Sequence, residues 1–284
     1  MLNNFERFSL VEDIFPFLKN YIGKLFVIKY GGSAMRDPLL QSQVVTDICF
    51  LHFLGINIVL VHGGGPSINN WLLKFNIKPE FENGCRVTDS VTMEIVEMVL
   101  SGKVNKELVK LFNQNNVLAV GLSGKDANLV KSSPLFENSN NLVGSIDSVD
   151  SGFLKLLLNN RYLPVISSIS SGLDNKTYNI NADTFAGSIA ESLSADKLIL
   201  LTDTLGIMQD INISSSLIKN LKLDDINNLK DKSIIYGGMI PKVDCCVKAL
   251  KGGVKSTHII DGRIPHSLLC ELFTIEGIGS KITY

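Results

Sequence analysis

Residues 25–35 read LFVIKYGGSAM, a β-branched and aromatic run that carries Lys29 near its end and passes directly into Gly31 and Gly32. Leu25–Tyr30 has the length and apolar continuity of a strand buried on both faces, the kind that parallel sheets contain. A second passage repeats the design: residues 57–61 are strand-like and open into His62, Gly63, Gly64, Gly65 and Pro66. Between the two, residues 38–54 read as a helix, and Leu163–Ser167 and Lys197–Thr202 repeat the strand pattern. Strands alternating with longer periodic runs define an α/β chain with a parallel sheet and crossover helices. Ligands of such sheets sit beyond the carboxyl ends of the strands, where both glycine clusters fall.

Composition agrees with that class and narrows the partners. The 284 residues are 45% hydrophobic, 19% charged and only 7% aromatic, enough to bury a substantial core in one large domain or two fused lobes. Lys plus Arg number 27 against 28 Asp plus Glu, a net charge of −1, so no overall basic field attracts nucleic acid or a membrane surface. A small-molecule substrate is the default. Cys49, Cys85, Cys245, Cys246 and Cys270 form no spaced pair and read as free thiols of a reducing compartment, with no metal site. Met1 to Leu18 reads as neither a secretory signal nor an Arg-rich transit peptide, and no run reaches transmembrane length. Abundant Asn, Lys and Ile hint at an AT-rich organellar or small bacterial genome.

Three regions stand apart from the alternation. Phe8, Val11, Phe15, Leu18 and Ile22 recur at three- and four-residue steps, one apolar stripe on a helix that either folds back on its own domain or meets another subunit. Pro16 removes a ladder bond and predicts a kinked helix or two short ones. Residues 132–141 are a polar loop or hairpin, and residues 209–232 a second polar segment. A lobe boundary is placed within residues 183–191, giving an N-terminal extension (1–23), a first lobe (24–186) and a second (187–284).

The chemistry-bearing residues cluster at the glycines. Lys29 with Gly31, Gly32 and Ser33 lets backbone approach a phosphate while a lysine supplies charge; the spacing is neither that of a Walker A loop nor of a Rossmann fold. Gly63–Gly65 with Pro66 precede a helix over residues 67–75, forming an anion cradle at its positive end, whereas a tight turn needs fewer glycines. His62 reads as a packed, backbone-bonded histidine. Near the other end, Gly237, Gly238, Met239, Ile240, Pro241 and Lys242 open a helix, and a lysine in a first turn is disfavoured by the dipole unless an anion joins it. Asp183, in Asn179-Ile180-Asn181-Ala182-Asp183, alone reads as a cap; beside two lysines it reads as the acid that holds them. Two lysines, an organising aspartate and glycine amides suffice for phosphoryl transfer, which is catalysed by alignment and charge neutralisation.

KYGGSAM (29–35), HGGGP (62–66), GCRVTD (84–89), NINAD (179–183) and GGMIPKV (237–243) occur in the order seen in the amino acid kinase family, and the chain resembles that family over nearly its whole length. The resemblance implies an open three-layer αβα sandwich around a mainly parallel sheet. It also implies transfer of the γ-phosphoryl of ATP, carried with Mg²⁺ on the nucleotide phosphates, to the side-chain carboxylate of N-acetyl-L-glutamate. Glutamate or aspartate as acceptor, or a non-catalytic arginine-sensing module, are the competing readings. By resemblance, Lys29 and Lys242 stabilise the transferring group and Asp183 orients both. Gly64 and Gly65 bind the acceptor by backbone amides, Arg86 holds its α-carboxylate and Asn179 contacts its acetamido end. Gly31, Gly32, Thr202, Asp203 and Gly238 lie on the nucleotide side.

Within the family, the N-terminal helix and the segment HIIDGRIPHSLLCELFTIEGIG (258–279) are similar to those of the arginine-inhibited, hexameric members. That likeness implies a trimer of dimers, an arginine site at His258, Glu271 and Gly277, and, as in cyanobacterial and plastid members, a PII signalling partner. A plastid stroma, or otherwise the cytoplasm, is the implied compartment.

Overall fold

The first strand decides the layers by its alternation. In the computed structural model, which describes residues 4–82, 84–136 and 140–284 without the side chains of residues 4–11 and of Ser33, α1 (Asn4–Tyr21) leads into β1 (Leu25–Tyr30). Phe26, Ile28 and Tyr30 face one apolar core, and Val27 faces the other, all fully buried. Lys29 therefore projects with Val27, since strand side chains alternate with period two.

The chain continues through α2 (Pro38–Phe53), β2 (Asn57–His62), α3 (Gly65–Lys74) and the hairpin β3 (Phe81–Glu82) and β4 (Cys85–Arg86). Then come α4 (Ser90–Glu97), a π-helical turn Met98–Val104, α5 (Asn105–Gln114), β5 (Ala119–Ser123), β6 (Val130–Pro134) and β7 (Gly144–Val149). α6 (Gly152–Asn159), β8 (Leu163–Ser167), β9 (Ile169–Gly172), β10 (Thr177–Asn179), α7 (Ala182–Ser192) and β11 (Lys197–Thr202) follow. The last part holds β12 (Asn220–Lys222), α8 (Asp225–Asp231), α9 (Met239–Lys251), β13 (Ser256–Asp261), α10 (Ser267–Leu272) and β14 (Ser280–Thr283).

Eight strands form the central sheet in the order β12-β14-β13-β11-β1-β2-β8-β5. From β13 to β5 every neighbour is parallel; β14 runs antiparallel to β13 and carries β12 with it. Side chains of α2, α3, α5 and α10 join the core on one face, and those of α6, α7 and α9 join it on the other. This is the three-layer αβα arrangement expected. Register aligns Lys29 with Val61 on β2 and Leu200 on β11, so the strands end together and the loops after them share one edge. A smaller sheet, β10-β9-β6-β7, lies beside the main one.

Local chemistry fixes the helix starts. Asp37 Oδ1 accepts from Leu39 and Leu40 amides at 2.8 and 3.3 Å, with Pro38 just inside, and Asp89 caps α4 through Thr92. Expected strands Leu25–Tyr30, Leu163–Ser167 and Lys197–Thr202 stand at those bounds. One expectation is corrected. The helix after HGGGP begins at Gly65 rather than residue 67, because Pro66 suits a first turn and Gly64 already occupies the cap position. The polar segment at residues 209–232 contains β12, which pairs with β14, and α8, which buries Ile226. The loop or hairpin expected at residues 132–141 is a hairpin: β6 pairs antiparallel with β7, and their connection includes residues 137–139, which lie outside the described ones.

The N-terminal stripe also divides. α1 is one helix with Pro16 inside, not two; a proline costs one ladder bond and need not end a helix that tertiary packing holds. Ile14, Phe17, Leu18 and Tyr21 pack against the core, while Phe15 and Ile22 are exposed at 63% and 60%. Phe8 and Val11 have side chains outside the described set. The helix thus folds back on its own domain and keeps part of its apolar surface outward.

Candidate active site

The N-termini of α7 and α9 meet at Asp183. Asn181 caps α7, its side-chain oxygen accepting from the Asp183 and Thr184 amides at 2.9 and 3.2 Å, and this sets Asp183 in the first turn. Lys29 Nζ reaches Asp183 Oδ1 at 3.0 Å from β1, and Lys242 Nζ reaches Oδ2 at 2.7 Å from the first turn of α9. Burial by itself would raise the Asp183 carboxyl; the charges of Lys29 and Lys242 outweigh it and hold the group at about 2. Two lysines against one carboxylate leave a positive excess in a nearly dry place. A buried ion network of that kind is weak as a device for stability, since desolvation offsets the attraction, and strong as an anion site.

Two cavities flank this triad. The first, about 310 Å³, is lined by Lys29, Gly32, Thr202, Asp203, Gly238 and Lys242 at one end. The rest of its lining includes Leu201, Ile207, Met208, Ile211, Ile234, Tyr236 and Met239, which make an apolar slot. Gly32 needs its lack of side chain: at φ +76° a Cβ would lie 2.5 Å from Asp203 Oδ1. Gly31 passes so close to the lysine that a Cβ would meet Lys29 Nζ at 2.7 Å. Thr202 Oγ1 accepts from the Thr204 amide at 3.1 Å and shapes the turn after β11.

The second cavity, about 180 Å³, is lined by Gly63, Gly64, Gly65, Arg86, Asn179 and Ala182, with Ile68, Leu100 and Val143 as apolar contacts. Because Ala182 lines this cavity and the two lysines line the first, the opening turn of α7 stands between them. Gly64 is extended at φ 175°, a conformation any residue adopts; what it requires is room, since a Cβ would meet Leu100 Cδ2 at 2.6 Å. Arg86 is 6% exposed and its pKa is lowered by burial. Its Nη1 is buried without a partner, a donor that an incoming carboxylate would satisfy. Asn179 Nδ2 donates to Thr88 Oγ1 at 3.3 Å, and Thr88 Oγ1 donates to the Arg86 carbonyl at 2.7 Å.

His62 has the structural place expected of it. Nδ1 donates to the Gly63 carbonyl at 2.9 Å and Nε2 accepts from Asn105 Nδ2 at 3.0 Å. Full burial depresses its pKa to about 4, keeping the ring neutral.

His258, Glu271 and Gly277 also come together, on the far side of β13 from the lysine triad. His258 Nδ1 lies 2.7 Å from Glu271 Oε1, and Glu271 Oε2 accepts from the Ile278 and Gly279 amides at 2.8 and 2.9 Å. Gly277 turns at φ +64°, where a Cβ would lie 2.6 Å from Glu271 Oε2. The sequence reading missed Lys197, which is 3.2 Å from His258 Nε2 and 5.2 Å from the Tyr21 ring; burial lowers its pKa to about 8. It also missed Asn69, Phe81 and the apolar slot residues, of which only Met239 sits in a glycine-rich motif.

Comparison with known proteins agrees with this geometry. The model of the amino acid kinase family matches residues 24–261. The chain is 56% identical to an acetylglutamate kinase of Gracilaria tenuistipitata var. liui over 99% of both chains. It is 50% identical to one from Thermosynechococcus vestitus, covering 99% of this chain and 96% of that protein. A solved N-acetylglutamate synthase from Neisseria gonorrhoeae, complexed with coenzyme A and N-acetyl-glutamate, superposes with a TM-score of 0.84 at 25% identity, across 98% of this chain and 63% of that one.

Proposed function

The chain belongs to the amino acid kinase family, and we propose that it transfers the γ-phosphoryl of ATP to the side-chain carboxylate of N-acetyl-L-glutamate. The product is N-acetyl-L-glutamyl 5-phosphate, formed in the second step of arginine biosynthesis. The observation that carries the reading is Asp183 joined to Lys29 at 3.0 Å and Lys242 at 2.7 Å between two cavities, one lined largely by apolar side chains, the other by an arginine with an unpaired guanidinium nitrogen.

ATP places its base in the Ile207, Met208 and Tyr236 slot and its phosphates toward Gly31, Gly32, Gly238, Thr202 and Asp203. N-acetylglutamate occupies the second cavity, its α-carboxylate on Arg86, its acetamido group toward Asn179 and its reacting end on the Gly64 and Gly65 amides. A γ-carboxylate oxygen attacks the γ-phosphorus while the bond from phosphorus to the β,γ-bridging oxygen breaks, and ADP leaves with that electron pair. The nucleophile is ionised at neutral pH, so no general base is required. Lys29 and Lys242 face the negative charge spread over the transferring group, and Asp183 keeps both aimed there. Both Asp183 oxygens are already engaged by lysines, a donor set that fits Mg²⁺ carried on the nucleotide's phosphates rather than held by protein carboxylates. When bound, the metal would supply further charge neutralisation to the nucleotide's phosphates.

The division into residues 1–23, 24–186 and 187–284 puts the acceptor cavity in the first lobe and the nucleotide slot mostly in the second, with β1 and β11 side by side at the seam. The cluster of His258, Glu271 and Gly277 is the proposed arginine site. The outward Phe15 of α1 and Ile22 just after it are the proposed contact that links dimers into a hexamer. A PII partner and a plastid stromal location, or else a cytoplasmic one, are proposed on the chain's resemblance to the plastid and cyanobacterial members of its family.

Incubation with ATP, Mg²⁺ and N-acetylglutamate in hydroxylamine traps an acyl phosphate as a hydroxamate, and active protein that yields none refutes the reading. Preference for free glutamate or aspartate would transfer the chain to another substrate within the family. Binding of arginine with no turnover would make it a sensing module.

A further inference from the structure

Arg86 is gripped on one side and open on the other. Its Nη2 donates to Asn69 Oδ1 at 2.6 Å and to the Gly65 carbonyl at 3.3 Å. The ring of Phe81 lies 4.8 Å from its Cζ, a stacking contact that a planar guanidinium favours. Nη1 has no partner and no exposure to solvent. Asn69 lies one turn beyond Gly65 on α3, so the helix that presents the glycine amides to the cavity also presents the oxygen that fixes the arginine.

The chemistry of that oxygen matters. Arg86 is 6% exposed, and a buried guanidinium is most often matched by a carboxylate, whose charge-assisted bond is the stronger one. Here the side-chain acceptor is a neutral amide. It directs the guanidinium plane without cancelling its charge, leaving that charge, and the unused Nη1 donor, for whatever enters the cavity.

Resting on the reading of this cavity as the acceptor-substrate site, we propose that Asn69 is a specificity-setting positioning residue: its neutral oxygen aims Arg86 so that the full guanidinium charge selects a substrate carboxylate. Phe81 completes the mount by stacking on the guanidinium, and Asn69 acts through Arg86 without needing to touch substrate.

The experiment compares wild type with Asn69→Asp and Asn69→Ala in steady-state turnover. Each is assayed with N-acetylglutamate and with its α-carboxamide analogue, with thermal melts as a check on folding. Asp keeps an oxygen at the same place and preserves the bond but neutralises the arginine. N69D is expected to raise KM for N-acetylglutamate on the order of tenfold or more, the size of a lost charge-assisted interaction. The KM for ATP stays unchanged, and the preference for carboxylate over carboxamide shrinks. N69A, which frees the guanidinium to reorient, raises KM while retaining more of that preference. A purely structural asparagine predicts the opposite order, with N69D close to wild type in KM and preference and N69A impaired; that result overturns the proposal. Should N69D not fold, Asn69→Ser reads the positioning role through its shorter neutral acceptor: raised KM supports the proposal and wild-type KM overturns it. Wild-type protein that turns over no N-acetylglutamate removes the substrate reading and the proposal together, whereas wild-type turnover with unaltered N69D kinetics removes the proposal alone.

Discussion

The thiol of Cys245 donates to the main-chain oxygen of Asp183 at 2.9 Å, three residues after Lys242 reaches the same aspartate's carboxylate at 2.7 Å. One turn of α9 therefore grips Asp183 twice, once by backbone and once by side chain. Gly187, one turn further along α7, makes room for this: a Cβ there would lie 2.6 Å from Cys245 Sγ. Gly187→Ala must push α7 away from α9, and overpacking of that kind costs about 1–3 kcal/mol. A lowered urea midpoint accompanied by reduced kcat is the expected outcome. Cys245→Ser, which keeps a donor, should lose less of both than Cys245→Val; equal losses would mean that the thiol contributes volume alone.

Removing members of the lysine pair separates catalysis from folding. Lys242 has a quarter of its side chain in solvent, whereas Lys29 and Asp183 are nearly dry. Lys242→Ala should lower kcat on the order of 10²–10³, the scale of one lost donor to developing charge, with sedimentation unchanged. Asp183→Asn leaves both lysines without a counter-charge and should destabilise the fold by about 3–5 kcal/mol, the cost of breaking a buried pair. Because the folded pKa of Asp183 is depressed to about 2, its contribution is present above the unfolded carboxylate value. It fades as pH falls from about 4 toward 2. Urea titrations of wild type and Asp183→Asn between those limits should converge as the pH drops.

His62 gives the opposite end of the acid range. The folded ring titrates near 4 because burial opposes its charge, against an unfolded value of about 6.5. Between those values the unfolded chain binds more protons, so stability rises with pH across that interval and is lost on acidification through it. His62→Gln retains an amide able to meet Gly63 and Asn105, and the slope of unfolding free energy against pH between 6.5 and 4 should be shallower in it. An identical slope would exclude His62 as its source.

How far the sequence spoke depends on what kind of interaction placed each residue. Leu25–Tyr30 and Lys197–Thr202 were legible to the residue because strands buried on both faces are continuous apolar runs with sharp polar ends. Lys29 and Lys242 were legible as chemistry because each breaks a local rule, a charge at the end of a buried strand or a cation in a first helical turn, and Asp183, ordinary as a cap, became legible only beside them. Asn69 broke no rule: a polar residue partly exposed on a helix is unremarkable until tertiary structure brings Arg86 to it from 17 residues away. The Ile207, Met208 and Tyr236 slot stayed hidden because its residues come from loops whose apolar content has no period. The N-terminal stripe left open whether Phe15 and Ile22 face inward or outward for a related reason. Spacing reveals that a helix has an apolar face, and only packing reveals which part of it the chain's own core takes.

Tyr21 joins α1 to the cluster proposed for arginine, and a last prediction follows from that contact. Its ring lies 5.2 Å from Lys197 Nζ and packs on Phe26 and Phe273 at 5.4 and 6.0 Å between centroids. Lys197 in turn lies 3.2 Å from His258, which pairs with Glu271. Phe17, one turn earlier, touches Phe273 at 6.5 Å, so the helix anchors the tyrosine from the N-terminal side. If α1 both links dimers and walls the effector site, deletion of residues 1–20 should convert a hexamer to dimers in sedimentation and weaken inhibition by arginine. Catalysis without arginine should persist, because both cavities lie at the carboxyl ends of the strands, lined by Lys29, Gly32 and Thr202 in one and Gly63, Gly64 and Gly65 in the other, and among the described residues none of α1 lines either. Tyr21→Ala separates the two effects: it removes a cation–π contact worth about 0.5–2 kcal/mol while leaving Phe15 and Ile22 outward. A rise of roughly two- to thirtyfold in the arginine concentration for half inhibition is expected, with the hexamer retained. A truncated chain that sediments and responds to arginine like the full one would leave α1 as a packing element of its own domain and nothing more.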